Sequence, residues 1–149
     1  MREAIGGTWI FGIVIVFIVL FSSYLAISVN YSKAFKVKNS IVSMIEKYEG
    51  HGNEVQDLIK GYNKSVGYGV SSSCVNRGEG YDNVMTTAGV RHRYCVECIE
   101  ADASGDRNRM QKSYYNVTVF FKLDLPIIGN IFVFPVTGET KPVYGFCQM

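Results

Sequence analysis

Four cysteines carry the spacing in this 149-residue chain that most resembles reactive chemistry. Cys95 and Cys98 form a C-x-x-C pair, with Cys74 before it and Cys147 near the C-terminus. In a redox enzyme such a pair opens a helix after a strand, and the helix N-terminus lowers the thiol pKa. Here it lies inside Tyr94-Cys-Val-Glu-Cys-Ile99, a run that reads as strand. Residues three apart on a strand face opposite ways and are too distant to bridge, so each cysteine pairs elsewhere. An even count of cysteines in a small domain predicts two structural disulfides formed in an oxidising compartment. Cys74 and Cys98 both fall on apolar strand faces, so the expected pairing is Cys74–Cys98 with Cys95–Cys147. Zinc held by Cys74, Cys95, Cys98 and His92 is the rival chemistry, but a second close-spaced ligand pair is missing.

The other polar residues offer less. His51 and His92 are lone histidines, expected to be solvated or structural. Asp102-x-Ser104-x-Asp106 has the oxygen ligands of a calcium loop without its terminal bidentate Glu, and reads as a polar turn. Asn116-Val-Thr118 matches a glycosylation sequon but falls in a predicted strand. No Ser/His/Asp triad or carboxylate pair can be assembled. The residues therefore predict no catalytic site, no metal and no cofactor. A net charge of +2 gives no broad basic field for nucleic acid.

The elements that would carry the cysteines hang from the N-terminal third. Between Ala4 and Ser32 there is no charged side chain, and Trp9 to Phe21 is apolar on every face. Residues 8–28 supply the roughly 20 apolar positions that a helix needs to cross a hydrocarbon core of about 30 Å. Over 29–49 the pattern becomes amphipathic: Tyr31, Ala34, Val37, Ile41, Met44, Ile45 and Tyr48 recur at helical spacing, with lysines and glutamates between them. No proline interrupts the run, and Gly50-His51-Gly52 stops it. One continuous helix is predicted, with residues 1–7 as a short leader or tail. A cleaved signal peptide fits less well, because the apolar run is long and no A-x-A-like site follows directly.

Residues 50–149 make up one small domain. Asn53 is the predicted N-cap of a second helix over 54–65, with Val55, Leu58, Ile59 and Tyr62 on one face. Strands are predicted over 68–75, 90–101, 115–125 and 131–137, with 76–89 and 101–112 as polar loops. Pro135 cannot donate to a ladder and marks the last strand as an edge. The fold class is α+β, a long helix whose amphipathic half packs on a small antiparallel sheet. The expected contact joins Val37, Ile41, Met44, Ile45 and Tyr48 to Val117, Val119, Phe121 and Leu123. Lys33, Lys36 and Lys38 beyond the span would put the domain in the cytoplasm by the positive-inside rule. The cysteines argue for the opposite side, and long domains translocate despite local charge.

This layout resembles type IV pilin-like proteins. The stretch Tyr24-Leu-Ala-Ile-Ser-Val-Asn-Tyr-Ser-Lys-Ala-Phe-Lys-Val-Lys-Asn-Ser-Ile41 resembles the TadE-like pseudopilins of tight-adherence pilus systems. The resemblance covers about the first third of the chain. It implies a non-enzymatic, single-pass bacterial membrane protein with its domain outside the cytoplasmic membrane. Its partners would be other pilin-like subunits and the pilus or secretion machinery, and its place a minor component of a surface filament. Pilin precursors usually carry a leader ending in Gly and a Glu five positions into the mature chain. Counting on from Gly6 or Gly7 lands on Phe11 or Gly12 instead. Side-by-side contact would use the small residues Ser22 and Ala26, then Ser28 and Ser32, at four-residue spacing. The alternative is a membrane-tethered binding domain that does not assemble, with a C-x-x-C redox or zinc protein behind it.

Overall fold

The computed structural model describes residues 2–100, 112–125, 129–144 and 147, with the backbone alone at 2–6, 123–125 and 129–131. Helix α1 runs unbroken over Arg2–Lys47, 46 residues and about 69 Å at ~1.5 Å per residue. It ends in a Schellman arrangement: Gly50 N–H donates to Ile45 O at 3.1 Å and Glu49 N–H to Glu46 O at 3.4 Å. The left-handed position is taken by Glu49 (φ 53°), where glycine is usual. Helix α2 (Asn53–Val66) follows at once, capped by Gly52 with no side-chain bond. Asn53 is thus the first helical residue and not the cap. The end of α2 is conventional, with Gly67 at φ 67° and its N–H on Asn63 O and Lys64 O.

The sheet is an antiparallel meander in the order β1 (Glu79–Thr86), β2 (Gly89–Glu100), β3 (Lys112–Leu125), β4 (Gly129–Glu139). Pro135 lies on β4, the edge next to β3, opposite Phe120. A two-residue β5 (Val143–Tyr144) resumes that edge against Lys112 and Ser113. Between them Thr140 patches the ladder: its N–H donates to Tyr115 O, and its Oγ1 accepts from Tyr115 N–H, both at 2.9 Å.

The expectation of a strand over 68–75 and a loop over 76–89 is reversed. Residues 68–75 make a single bridge, Ser72 to His92, and β1 lies within the polar segment. Tertiary contact outweighs the poor strand propensity of Gly, Asp and Asn here. Tyr81 stacks on Tyr94 of β2, ring centroids 5.6 Å apart. The glycines are required by close approach: a Cβ at Gly80 would lie 2.2 Å from the His92 ring, and one at Gly78 (φ +80°) 2.2 Å from Val96 O.

The core sits between the C-terminal half of α1 and one face of the sheet. Ala34, Val37, Ile41 and Ile45 are buried against Tyr115, Val117 and Val119 of β3, Tyr94 and Val96 of β2, and Val136 of β4. Val55 and Ile59 of α2 complete it. Met44 and Phe121 are half-buried at its margin. Tyr48 is a correction, being 49% exposed: α1 has already ended at Lys47, and the chain reverses before the ring can reach the sheet. Leu123 pairs with Phe132 through the backbone, and its side chain lies outside the described residues. Lys38 is buried where Gly138 leaves room for its stem, with its ammonium 4.4 Å from the Phe35 ring centroid.

Candidate functional site

The N-terminal half of α1 projects out of this core. Trp9 is 72% exposed and Leu20 64%, whereas Ile41 and Ile45 are fully buried. Among the described residues α1 is the one helix long and apolar enough to cross a membrane. From Trp9 to Tyr31 the rise is about 33 Å, close to the roughly 30 Å thickness of a hydrocarbon core, so the helix is long enough to span one. Of the small residues, Ser22, Ser28 and Ser32 are exposed and Ala26 is half-buried. At about 100° per residue, Ser28 and Ser32 fall on the side of α1 away from the buried line Ala34–Val37–Ile41–Ile45. Ala26 borders that line.

Where the exposed half meets the domain, aromatic rings gather. Tyr31 meets Phe121 edge-on at 5.6 Å, Phe121 stacks on Phe134 at 5.4 Å, and Phe132 lies 6.0 Å from Phe134. Phe35 stacks on Tyr31 at 6.3 Å. Tyr31, Phe35, Phe132 and Phe134 are nonetheless each more than 40% exposed. Beside them Asn30, Lys33, Phe121 and Lys122 border a small open cleft. The alternation Phe132-Val-Phe134 was the available signal for this patch, but its neighbours on α1 could not be read without the register.

All four cysteines are bridged, and the pairing differs from the expected one: Cys74 bonds Cys95, and Cys98 bonds Cys147. The reason lies in the strand faces. Tyr94, Val96 and Cys98 turn toward α1, while Cys95 is buried on the other face. The bridge from Ser72 to His92 carries the chain along β2, which brings Cys74 Sγ within 3.9 Å of Tyr94 O and beside Cys95. The expected Cys74–Cys98 pairing depends on a strand over 68–75 that does not form. His92 is engaged by Asn83, Nδ1 to Oδ1 2.7 Å. Thr118 of the sequon is buried in mid-sheet, and the Asp102–Asp106 turn lies outside the described residues.

A polar cluster is buried where α1, α2 and the sheet meet. His51, fully buried, lies edge-on to Tyr81 (4.3 Å) and Tyr94 (5.8 Å), with Nε2 3.3 Å from Tyr94 Oη. Burial lowers its pKa to about 4 and pushes the Tyr94 phenol far up, so a neutral imidazole faces a protonated phenol. Nearby, Asp82 accepts from Asn63 Nδ2 at 3.1 Å and pairs with the Arg93 guanidinium at 2.8 Å. These groups tie α2 to β1 and β2. His51 is therefore a core residue and not a solvated one, a fate visible only once Tyr81 and Tyr94 are brought together.

Comparison with protein-family models, with curated proteins and with solved structures finds no match for this chain.

Proposed function

We propose that this chain is a pilin-like, TadE-like structural protein: a minor component of a surface pilus or secretion assembly, with no catalytic role. The observation that carries the reading is one rigid helix with two unlike halves. The C-terminal half is locked into an antiparallel sheet, and the N-terminal half carries no charged side chain from Ala4 to Ser32 and exposes its large apolar residues. The helix is held in the membrane until it packs beside the helices of other subunits, and the domain stands outside the cytoplasmic membrane, where its disulfides persist. No acid lies between Ala4 and Glu46. A carboxylate in hydrocarbon is costly unless met by a partner, and pilins use one to set subunit register. Without it the chain suits a minor or initiating position better than the repeating shaft.

The test is oxidative crosslinking in native membranes through Ser22→Cys and Ser32→Cys. Adducts to itself or to pilin-like subunits are expected. A strictly monomeric pattern at both positions would leave a tethered binding domain as the reading. In sheared filaments the chain should be a trace subunit, and recovering it as the most abundant one would overturn the minor role.

A further inference from the structure

Among the described side chains Lys38 is the one lysine, arginine or carboxylate that is buried, at 9% exposed. Lysines seldom stay inside a fold unless a partner meets the charge. Among the described residues no carboxylate pairs with it, the ion pairs being Lys60–Asp57 and Arg93–Asp82. The helix offers none, since the positions one turn away are Ala34, Phe35, Ile41 and Val42. Glu46, two turns on, accepts from Lys141 N–H, and Glu139 follows Gly138 on the opposite face of β4. The ammonium does meet the Phe35 ring, 4.4 Å to its centroid, a weaker partner than a carboxylate. Its place is kept open by Gly138, where a Cβ would lie 2.8 Å from Nζ. Glycine inside a strand costs stability and marks a close approach.

The ammonium stands at one end of a cleft between the flank of α1 and β4. Phe132, Phe134, Val136 and Gly138 share the α1-facing side of β4 by alternation, and Val136 closes the core there. Tyr31 and Phe35 line the helix side, and Phe121 joins the two walls through its contacts with Tyr31 and Phe134. Tyr31, Phe35, Phe132 and Phe134 are exposed. From Lys38 back to Tyr31 the helix rises about 10 Å, and from Gly138 back to Phe134 the strand runs about 13 Å. Charge and aromatic shelf are therefore about three or four residues of extended chain apart, or about two helical turns. Strand β4 is the outer strand, and Pro135 midway along it breaks any ladder a partner would add, so recognition falls to side chains.

We infer that this cleft binds an acidic segment of another subunit, with a carboxylate on Lys38 and a large apolar side chain on the shelf of Phe35, Phe134 and Tyr31. The uncompensated ammonium selects the acid, and the exposed rings select its apolar neighbour. The occupant is not a second copy, because a copy packed alongside α1 offers no acid between Ala4 and Glu46. Nor is it lipid: anionic headgroups are met by Lys33 and Lys36, which are exposed, before a lysine folded into the domain. The inference names the partner chemistry of the proposed function and rests on its reading that this chain meets other subunits.

The test is carbodiimide crosslinking of the full chain in native membranes, which joins an amine to a carboxylate in contact with it, followed by peptide mapping. Expected is an amide between Lys38 Nζ and an Asp or Glu of another protein, with a large apolar residue within about four positions of that acid. Linkage of Lys38 to an acid of its own chain, within one molecule or between two, overturns the separate partner. Links at Lys33 or Lys36 with none at Lys38, or no links at all, overturn the cleft. Lys38→Met keeps the stem and removes the charge. In the Ser22→Cys background it should cut disulfide adducts to other subunits severalfold, while thermal unfolding of the full chain in micelles is unchanged or later. Unfolding several degrees earlier would make Lys38 a packing residue and overturn the inference. Ser22→Cys adducts that form without any Lys38 linkage overturn the cleft alone and leave the helix assembly standing.

Discussion

The two halves of α1 share one backbone and opposite fates. In the half from Ala34 to Ile45, a buried side chain recurs every third or fourth residue and the faces between carry lysines, as a helix lying on a sheet requires. In the half from Trp9 to Leu25 the apolar residues surround the helix, and no sheet could cover more than one side of them. Apolar content alone does not separate these halves; its angular distribution does. The packed half draws its stability from the domain, whereas every side chain from Trp9 to Ile18 is exposed.

The largest effect should come from truncating the packed half. Ile41→Ala removes a fully buried side chain and should lower the stability of the full chain in detergent micelles by about 3 kcal/mol in denaturant titration. Ile15→Ala, nearly half exposed, should stay within about 0.5 kcal/mol. Equal losses from the two would dissolve the distinction. Next come the bridges, which ask whether the sheet relies on the helix alone. Replacing either pair by serine should cost about 2–4 kcal/mol, with Cys98–Cys147 the dearer by about 0.7 kcal/mol because it closes the longer loop. Peptide mapping without reduction checks the pairing first, and a Cys74–Cys98 peptide would restore the pairing drawn from strand faces.

His51 tests how dry the junction below the packed half is. The unfolded chain binds its proton below about pH 6.5, the folded chain only below about pH 4. Stability is therefore full above 6.5 and falls as pH drops through that window, by about 2–3 kcal/mol at pH 4. Urea titrations between pH 7 and 5 should show the slope, and His51→Gln should flatten it; an unchanged slope would mean that water reaches the imidazole. The smallest effect belongs to the helix end. Glu49 holds a left-handed conformation that glycine adopts freely, so Glu49→Gly should raise stability by about 0.5–1 kcal/mol in the same assay.

Much of this fold was legible in the chain itself. A long uncharged run, its change to helical periodicity at Tyr31 and the alternation from Tyr115 to Leu125 each depend on residues close in sequence. Local order of that kind determines the helix, the central strand, the α+β class and the presence of an exposed apolar half. What only the tertiary structure decided involves partners far apart along the chain. Strand β1 forms from a polar segment because Tyr81 finds Tyr94, and Cys74 bonds Cys95 because the bridge from Ser72 to His92 delivers it there. His51 is buried, and Phe121, Phe132 and Phe134 become one patch beside Tyr31, for the same reason. Propensity and periodicity act over a turn or a strand, whereas register joins residues tens of positions apart, and no single segment encodes it.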